Sequence, residues 1–142
     1  MRVTFEIPKA YTKGFEERCA AIITKVGSNT RKGTEEACKL ISELSLKEVP
    51  RETGTLASSQ FWTVEGNYRT GWTGTVGYGG NGDPINPRTG KPSSEYMLPV
   101  HEDLRASHPV GKAKYLEDPM RRYARFMFPR TIFKAYEDSI KR

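Results

Sequence analysis

The chain has 142 residues, of which 36% are hydrophobic, 11% are aromatic and 28% are charged, and its formal net charge is +6. This length predicts one domain, residues 1–142, because a single core typically organises about 100 to 200 residues. We expect synthesis in a cytoplasm without membrane insertion or secretion, because no apolar run reaches about 18 residues and the N-terminus lacks the apolar stretch of a signal peptide.

Residues 10–49 have the pattern of one long amphipathic helix. Apolar residues recur there at spacings of three and four: Phe15, Cys19, Ile22, Ile23, Val26, Ala37, Leu40, Ile41, Leu44 and Val49. Gly27 and Gly33 each cost about 1 kcal/mol relative to alanine in a helix, so a kink or a break between them is the alternative. Pro50 ends the helix, because the residue before a proline is disfavoured in helical conformation.

The two cysteines, Cys19 and Cys38, lie on the apolar stripe of this helix. Their spacing matches no CxxC redox or zinc motif. On one continuous helix they would be about 28 Å apart, which excludes a disulfide bond between them. We therefore predict buried free thiols without catalytic activation.

Two stretches after Pro50 alternate in the manner of β-strands. They cover residues 56–65 and 72–78, and a turn at residues 66–71 separates them. Trp72, Gly74, Val76 and Tyr78 share one face of the second stretch. We predict an antiparallel hairpin whose Trp, Val and Tyr side chains pack under the long helix.

Residues 79–95 are predicted to form a long exposed loop, because they include four Gly, three Pro and only one strongly apolar residue, Ile85. Loops of this length are often contact elements, so Asp83, Arg88 and Lys91 are candidate docking residues. Residues 96–101 are predicted to form a third strand or a buried extended segment. Pro99 would place such a strand at an edge or interrupt it.

The C-terminal segment, residues 119–142, is predicted to be helical and basic. Pro119 and Pro129 suit helix starts, and an apolar stripe follows at Ile132, Phe133, Tyr136 and Ile140. Five of the net positive charges lie between residues 121 and 142, where an acidic protein surface or DNA phosphates could contact them. The candidate docking or DNA-facing residues of this segment are Arg121, Arg122, Arg125 and Arg130.

No common phosphate-binding, metalloprotease or hydrolase motif is present in the sequence. His101, Glu102, Asp103 and His108 form the best polar cluster for a divalent metal, but their spacing matches no common metal signature. We predict hydrogen-bonding roles for them, or a place at a subunit interface. The sequence thus predicts no enzyme, no cofactor, no metal and no small-molecule substrate, and a small metal-dependent hydrolase is the remote alternative.

Three motifs occur in a fixed order along the chain. The first is Val49-Pro50-Arg51-Glu52-Thr53-Gly54-Thr55-Leu56, the second is Tyr96-Met97-Leu98-Pro99-Val100-His101-Glu102, and the third extends from His108 to Pro119. In this order they resemble the minor capsid and tail-completion family of tailed bacteriophages. In that family a helix ending in a VPxDTGxL-like turn leads into a strand, and a YxxxVHE-like segment precedes a GxAK[FY]LExP-like segment.

The residues that match these motifs are Val49, Pro50, Thr53, Gly54, Leu56, Tyr96, His101, Glu102, Gly111, Lys114, Tyr115 and Leu116. The chain departs from the family pattern at Glu52, where Asp is usual, in the longer loop at residues 79–95, and in the Arg- and Phe-rich segment after Pro119. These motif residues also have a physical interpretation as fold determinants, since Thr53-Gly54 suits a tight turn. Residues 112–116 alternate like a strand anchored by Ala113 and by Leu116 or Tyr115.

The resemblance implies a non-enzymatic structural subunit of the phage neck, which joins head to tail. Its implied partners are the adaptor, stopper, tail-terminator or tail-tube proteins, and identical subunits would associate head to tail into a homo-oligomeric ring. The protein would be present in the host cytoplasm during assembly and then in the virion, with non-specific contact to viral DNA. The alternative from another class is a basic DNA-binding or packaging accessory protein that acts through the C-terminal Arg cluster.

The predicted fold class is α+β. A long N-terminal helix packs on a small antiparallel sheet, and a long polar loop and a C-terminal helix complete the domain.

Overall fold

Helices precede and follow one β-hairpin in the computed structural model, which describes residues 9–80, 82–124, 129–130, 133–134 and 137–138. The elements are α1 (Lys9–Glu48), α2 (Thr55–Ser58), β1 (Phe61–Asn67), β2 (Gly71–Gly77), α3 (Ser93–Glu102) and α4 (Glu117–Ala124). α1 packs on both strands, α4 contacts α1, and α3 contacts α2. The predicted α+β class, with its long N-terminal helix, antiparallel sheet and C-terminal helix, is confirmed.

α1 is one continuous helix of 40 residues, so the glycines near its middle do not break it. Gly27 instead permits a close approach, because a β-carbon there would lie 2.5 Å from Tyr68 Cβ at the hairpin tip. Trp72 Nε1 also donates a hydrogen bond to the Gly27 carbonyl oxygen at 3.0 Å. The helix ends at Glu48, two residues before Pro50, as predicted. None of the described helices combines the length and the apolar character that crossing a bilayer requires.

β1 and β2 form an antiparallel hairpin that packs against α1. Directly paired residues lie on the same face of a sheet, so the pairs Trp62–Val76 and Val64–Gly74 share one face. That face meets the helix, because a β-carbon at Gly74 would collide with Cys38 Sγ. The prediction that this side of the hairpin lies under the long helix is therefore confirmed.

The apolar stripe of α1 is buried only in its C-terminal half. Ala37, Cys38, Ile41 and Val49 are buried, whereas Phe15, Ile22 and Ile23 are 69%, 61% and 51% exposed. Cys38 is a buried free thiol, as predicted, and burial, followed by the nearby Glu35 carboxylate, raises its pKa. Cys19 is a free thiol but only partly buried, so the prediction of burial is wrong for it.

Residues 56–60 do not begin the first strand, and this part of the sequence prediction is wrong. Gly54 has a left-handed conformation with φ 78°, as the predicted tight turn requires, and the chain then forms the single helical turn α2. Ser59 Oγ donates a hydrogen bond to the Leu56 carbonyl oxygen at 2.7 Å, which stabilises that turn. Leu56 enters the core from α2, and the strand begins only at Phe61.

The predicted third strand at residues 96–101 is helix α3, which is a correction. The Asp83 carboxylate stabilises the helix start by accepting hydrogen bonds from Ser93 Oγ at 2.7 Å and from the Ser94 backbone N–H at 2.8 Å. Pro99 lies inside the helix, and its carbonyl oxygen accepts a hydrogen bond from Asp103 N at 3.0 Å. The hydrogen bonds that Asp83 accepts from the first turn thus stabilise the helix more than Pro99 destabilises it.

The segment predicted as an exposed loop, residues 79–95, is shorter and more ordered than expected. Its last three residues belong to α3, and an isolated bridge pairs Ile85 with Pro92. Asn86 is buried and closes a turn, since its N–H donates to the Lys91 carbonyl and its own carbonyl accepts from Gly90 N, both at 2.8 Å. Residues 87–90, between Asn86 and Lys91, are all exposed.

Residues 112–116 form turns and not the predicted strand. Lys114 has a positive φ of 58°, which no regular strand allows, and its N–H donates to the His101 carbonyl oxygen at 2.8 Å. Ala113 and Tyr115 are nonetheless buried, as the prediction of an anchored segment required.

α4 begins at Glu117, close to the predicted start at Pro119, and residues 129–130 are helical as well. Of the predicted C-terminal apolar stripe, Ile132, Tyr136 and Ile140 lie outside the described residues, as does Arg125.

Candidate functional site

The three motifs meet in one place, which we call the three-segment junction: residues 49–56, 96–102 and 111–116. Val49, Leu56 and Tyr115 belong to one buried cluster together with Tyr78. Tyr96, Val100 and Leu116 pack against that cluster. Five of the twelve motif residues, Val49, Leu56, Tyr96, Tyr115 and Leu116, therefore form or border the core of this end of the molecule, next to the C-terminus of α1.

Gly111 allows two backbone segments of the junction to approach each other closely. It has φ 87°, and a β-carbon there would lie 2.5 Å from the backbone of Val49 and Pro50. Backbone hydrogen bonds flank this contact, from Arg51 N to the Val110 oxygen at 3.3 Å and from Lys112 N to the Glu48 oxygen at 2.9 Å. The third segment thus satisfies a terminal carbonyl of α1, which has no partner within the helix.

Tyr115 is the centre of the junction and is 2% exposed. The rings of Tyr78 and His101 each contact it edge to face, with centroids 4.9 Å away. Its hydroxyl donates a hydrogen bond to the Met97 carbonyl oxygen at 3.0 Å, which ties the third segment to α3. Burial, followed by the nearby phenols of Tyr78 and Tyr96, raises the pKa of Tyr115, so the side chain remains neutral.

His101 uses both ring nitrogens within the junction. Nδ1 lies 2.8 Å from Glu102 Oε1, and Nε2 accepts a hydrogen bond from the Glu117 N–H at 3.4 Å. His108 lies in the wall of a cavity of about 250 Å³ at the junction, which Pro50, Tyr96 and Val100 also line. Among the described residues, no three His, Cys, Asp or Glu side chains are grouped so as to hold a metal ion.

Ion pairs surround the buried centre of the junction. Lys114 pairs with Glu102 and, at 2.8 Å, with Glu117. Lys112 pairs with Asp118 and, at 3.2 Å, with Glu48. Hydrogen bonds from Lys114 hold the pKa of Glu102 and of Glu117 below their usual range, and a hydrogen bond from Lys112 does the same for Asp118. These pairs join the ends of α1, α3 and α4.

We expect the free energy of unfolding to fall in acid because of these pairs. Glu102 and Glu117 have lowered pKa values in the folded state, so their contribution is complete above the ordinary carboxyl pKa of 4.5 and is lost as the pH falls through their folded values. Lys114→Met removes the main cause of both shifts and should make the loss between about pH 7 and about pH 3 smaller.

Urea unfolding at several pH values measures this effect. Lys47→Met is the matched control, since Lys47 is exposed in the last turn of α1 and should leave the acid sensitivity unchanged. An unchanged acid profile in Lys114→Met would contradict the assignment.

Most of the cations predicted to dock have carboxylate partners within the chain. Arg88 pairs with Glu52, and Lys91 lies 4.0 Å from Glu95. Arg121 pairs with Glu117 at 2.6 Å, and Arg122 pairs with Glu48 at 2.5 Å. Arg130 is exposed, and Arg125 lies outside the described residues. Asp83 has the structural role of stabilising the start of α3, and its hydrogen bonds to Ser94 and Ser93 lower its pKa.

Sequence reasoning missed a buried polar network between α1 and the hairpin. Ser45 Oγ lies 2.7 Å from Tyr78 Oη, and Gln60 Nε2 donates to the same oxygen at 2.9 Å. Ser42 Oγ donates to Gln60 Oε1 at 2.5 Å. The signal that could have revealed it is spacing, since Ser42 and Ser45 continue the three-and-four rhythm of the apolar stripe toward Val49.

No family model, curated protein or solved structure matches this chain. The resemblance to the phage family therefore rests on the three motifs, and the function that it implies is a proposal. The geometry is independent of any relative: the three motifs form one packed junction, although 39 residues of sequence separate the first from the second.

Proposed function

We propose that this protein is a non-enzymatic structural subunit of the head-to-tail connector of a tailed bacteriophage, assembled into a homo-oligomeric ring in the neck. Its partners are the adjoining adaptor, stopper, tail-terminator or tail-tube proteins, and its place is the virion. The proposal rests on the motif resemblance and on what the motif residues do in the fold.

The observation that carries the proposal is the packing of all three motifs into one junction. Gly111 closes on the backbone of Val49 and Pro50, and Tyr115 links the core to α3. If residues in three separate segments together specify one fold, that shared structural role explains why they occur together in a sequence. This supports membership of a family that shares the fold, and a role in assembly follows from the family resemblance.

The alternative function, DNA binding through the C-terminal arginines, has less support. Arg121 and Arg122 both form ion pairs with carboxylates of the chain, at 2.6 Å with Glu117 and at 2.5 Å with Glu48. Each such pair reduces the charge available to a phosphate backbone, on which non-specific DNA affinity depends.

Mass spectrometry of purified virions tests the proposal. We expect the protein to be present in a small, fixed number of copies relative to the major capsid protein, as a single ring requires. Native mass spectrometry of the ring isolated from its neighbours should then give a whole-number multiple of the 16.1 kDa chain. Absence of the protein from infectious, purified particles would overturn the proposal.

A further inference from the structure

The N-terminal part of α1 has an exposed apolar seam. Phe15, Cys19, Ile22 and Val26 follow each other at spacings of four, three and four, which is the spacing of a seam between two packed helices. Phe15 and Ile22 are 69% and 61% exposed, so the described residues leave most of their surface in solvent, although Ile22 borders a cavity that Tyr68 and Trp72 of the hairpin also line. Ile23, next to the seam, is 51% exposed. Solvated apolar surface of this kind marks an interaction site on a folded protein.

A row of cations lies along one flank of this seam. Arg18, Lys25 and Lys32 are seven residues apart, and all three are exposed. Seven residues are close to two helical turns, so the three side chains lie on one side of α1 over about 21 Å. No acidic residue lies three or four positions from Arg18 or Lys25, whereas Glu35 and Glu36 lie one turn beyond Lys32.

Within the described part of the chain, these three cations differ from those of the junction in having no carboxylate partner. Among the described residues, none of the ion pairs involves Arg18, Lys25 or Lys32. Arg88, Lys91, Arg121 and Arg122 all have a carboxylate within reach. The regularly spaced cations without a described ion-pair partner therefore lie on α1, where the sequence predicted no docking residues.

We propose that this surface of α1, the seam with its basic flank, binds an amphipathic helix of a neighbouring protein whose apolar seam is flanked by acidic residues. The inference rests on the proposed assembly function and names the chemistry of one partner. Opposite charges beside a shared apolar seam determine which helices pair and in which orientation. Duplex DNA would satisfy the cations and leave the seam in water, so it fits the surface less well.

A second copy of α1 is also a poor occupant. In an antiparallel pair the flanks of the same type face each other, which would bring Arg18 of one copy next to Lys25 of the other. In a parallel pair the basic flank would face the opposite flank of the seam, where Glu16 is followed by Ile23 and Thr30. One acidic residue does not compensate the row, so the charge pattern favours a different, acidic partner.

Binding of designed peptides to the full-length protein tests this inference. The probes are two 21-residue peptides of three heptads, each with leucine at the first and fourth positions. One peptide has glutamate at both flanking positions of every heptad and the other has lysine. Fluorescence anisotropy should show at least tenfold tighter binding of the acidic peptide at low salt, and a smaller difference at about 0.3 M NaCl, where charges are screened.

Three double variants test the surface, and one of them is a control away from it. Arg18→Glu with Lys25→Glu should reverse the preference in favour of the basic peptide. Lys47→Glu with Arg105→Glu makes the same change of net charge at exposed positions away from the seam, and it should leave the preference for the acidic peptide in place. Phe15→Ala with Ile22→Ala should weaken binding of the acidic peptide about tenfold or more, and circular dichroism should show that all variants remain folded.

Three results would overturn the inference. The first is equal affinity for both peptides. The second is binding of a 20-base-pair DNA duplex that Arg18→Glu with Lys25→Glu abolishes and the seam variant does not change. The third is self-association through the seam that Phe15→Ala with Ile22→Ala abolishes. Each of them, in a protein that is still found in virions, would remove this surface and leave the proposed function standing.

Discussion

Replacing Gly111 by alanine is expected to destabilise the fold by about 2–5 kcal/mol. The position has φ 87°, which costs an L-residue about 1–2 kcal/mol. The new β-carbon would also lie 2.5 Å from the backbone of Val49 and Pro50, so the third segment must move away from the end of α1. Denaturant unfolding, analysed as a two-state transition, measures the loss.

Gly90→Ala is the matched control for this prediction. Gly90 has φ 69°, and a β-carbon there would meet no atom within 4 Å. It should lose only the backbone contribution of about 1–2 kcal/mol. Equal losses in both variants would mean that the approach of Gly111 to Val49 and Pro50 does not contribute to stability.

Tyr115→Ala should cost about 3–5 kcal/mol, because truncating a fully buried aromatic ring leaves a cavity in the core. The ring contacts both Tyr78 and His101, and its hydroxyl bonds to the Met97 oxygen. Tyr115→Phe keeps the ring and removes only the hydrogen bond, so it should cost about 1 kcal/mol. Thermal unfolding of the two variants and the parent protein checks both values.

The pair of variants also distinguishes a fold determinant from an interface residue. If Tyr115 acts through the fold, Tyr115→Phe should remain stable and should still enter particles. A Tyr115→Phe protein of nearly full stability that is missing from particles would contradict this role. So would a Tyr115→Ala protein no less stable than Tyr115→Phe.

Local periodicity predicted the parts of the fold whose cause is local. The three-and-four spacing predicted α1 as one helix, and alternation together with the turn predicted the hairpin. The conformation of Gly54 followed from its place in a tight turn. In each of these the pattern and the element that it specifies lie in the same stretch of chain.

The errors arose where a distant residue decides the local conformation. Residues 96–101 were predicted as a strand or a buried extended segment because they form a short apolar run, but Asp83, 11 residues before Ser94, supplies the acceptors for the helix start. Residues 112–116 alternate like a strand, yet the His101 carbonyl oxygen binds Lys114 N and fixes a turn. Such contacts leave no periodic trace in the sequence.

Contacts between distant residues also explain why the sequence predicted the site only in part. The motifs identified the residues of the junction, but not that Gly111 lies against Pro50 or that Tyr115 joins the core to α3. The charge count placed a basic cluster at the C-terminus. It could not reveal that Arg122 pairs with Glu48 across 74 residues of sequence.

Removal of the gene from an otherwise intact phage tests the central claim, a structural role in joining head to tail, most directly. Electron microscopy of the lysate would show the products of assembly. We expect DNA-containing heads and separate tails, and we expect joined particles to be restored when the protein is supplied in trans. Joined, infectious particles in the absence of the protein would contradict it.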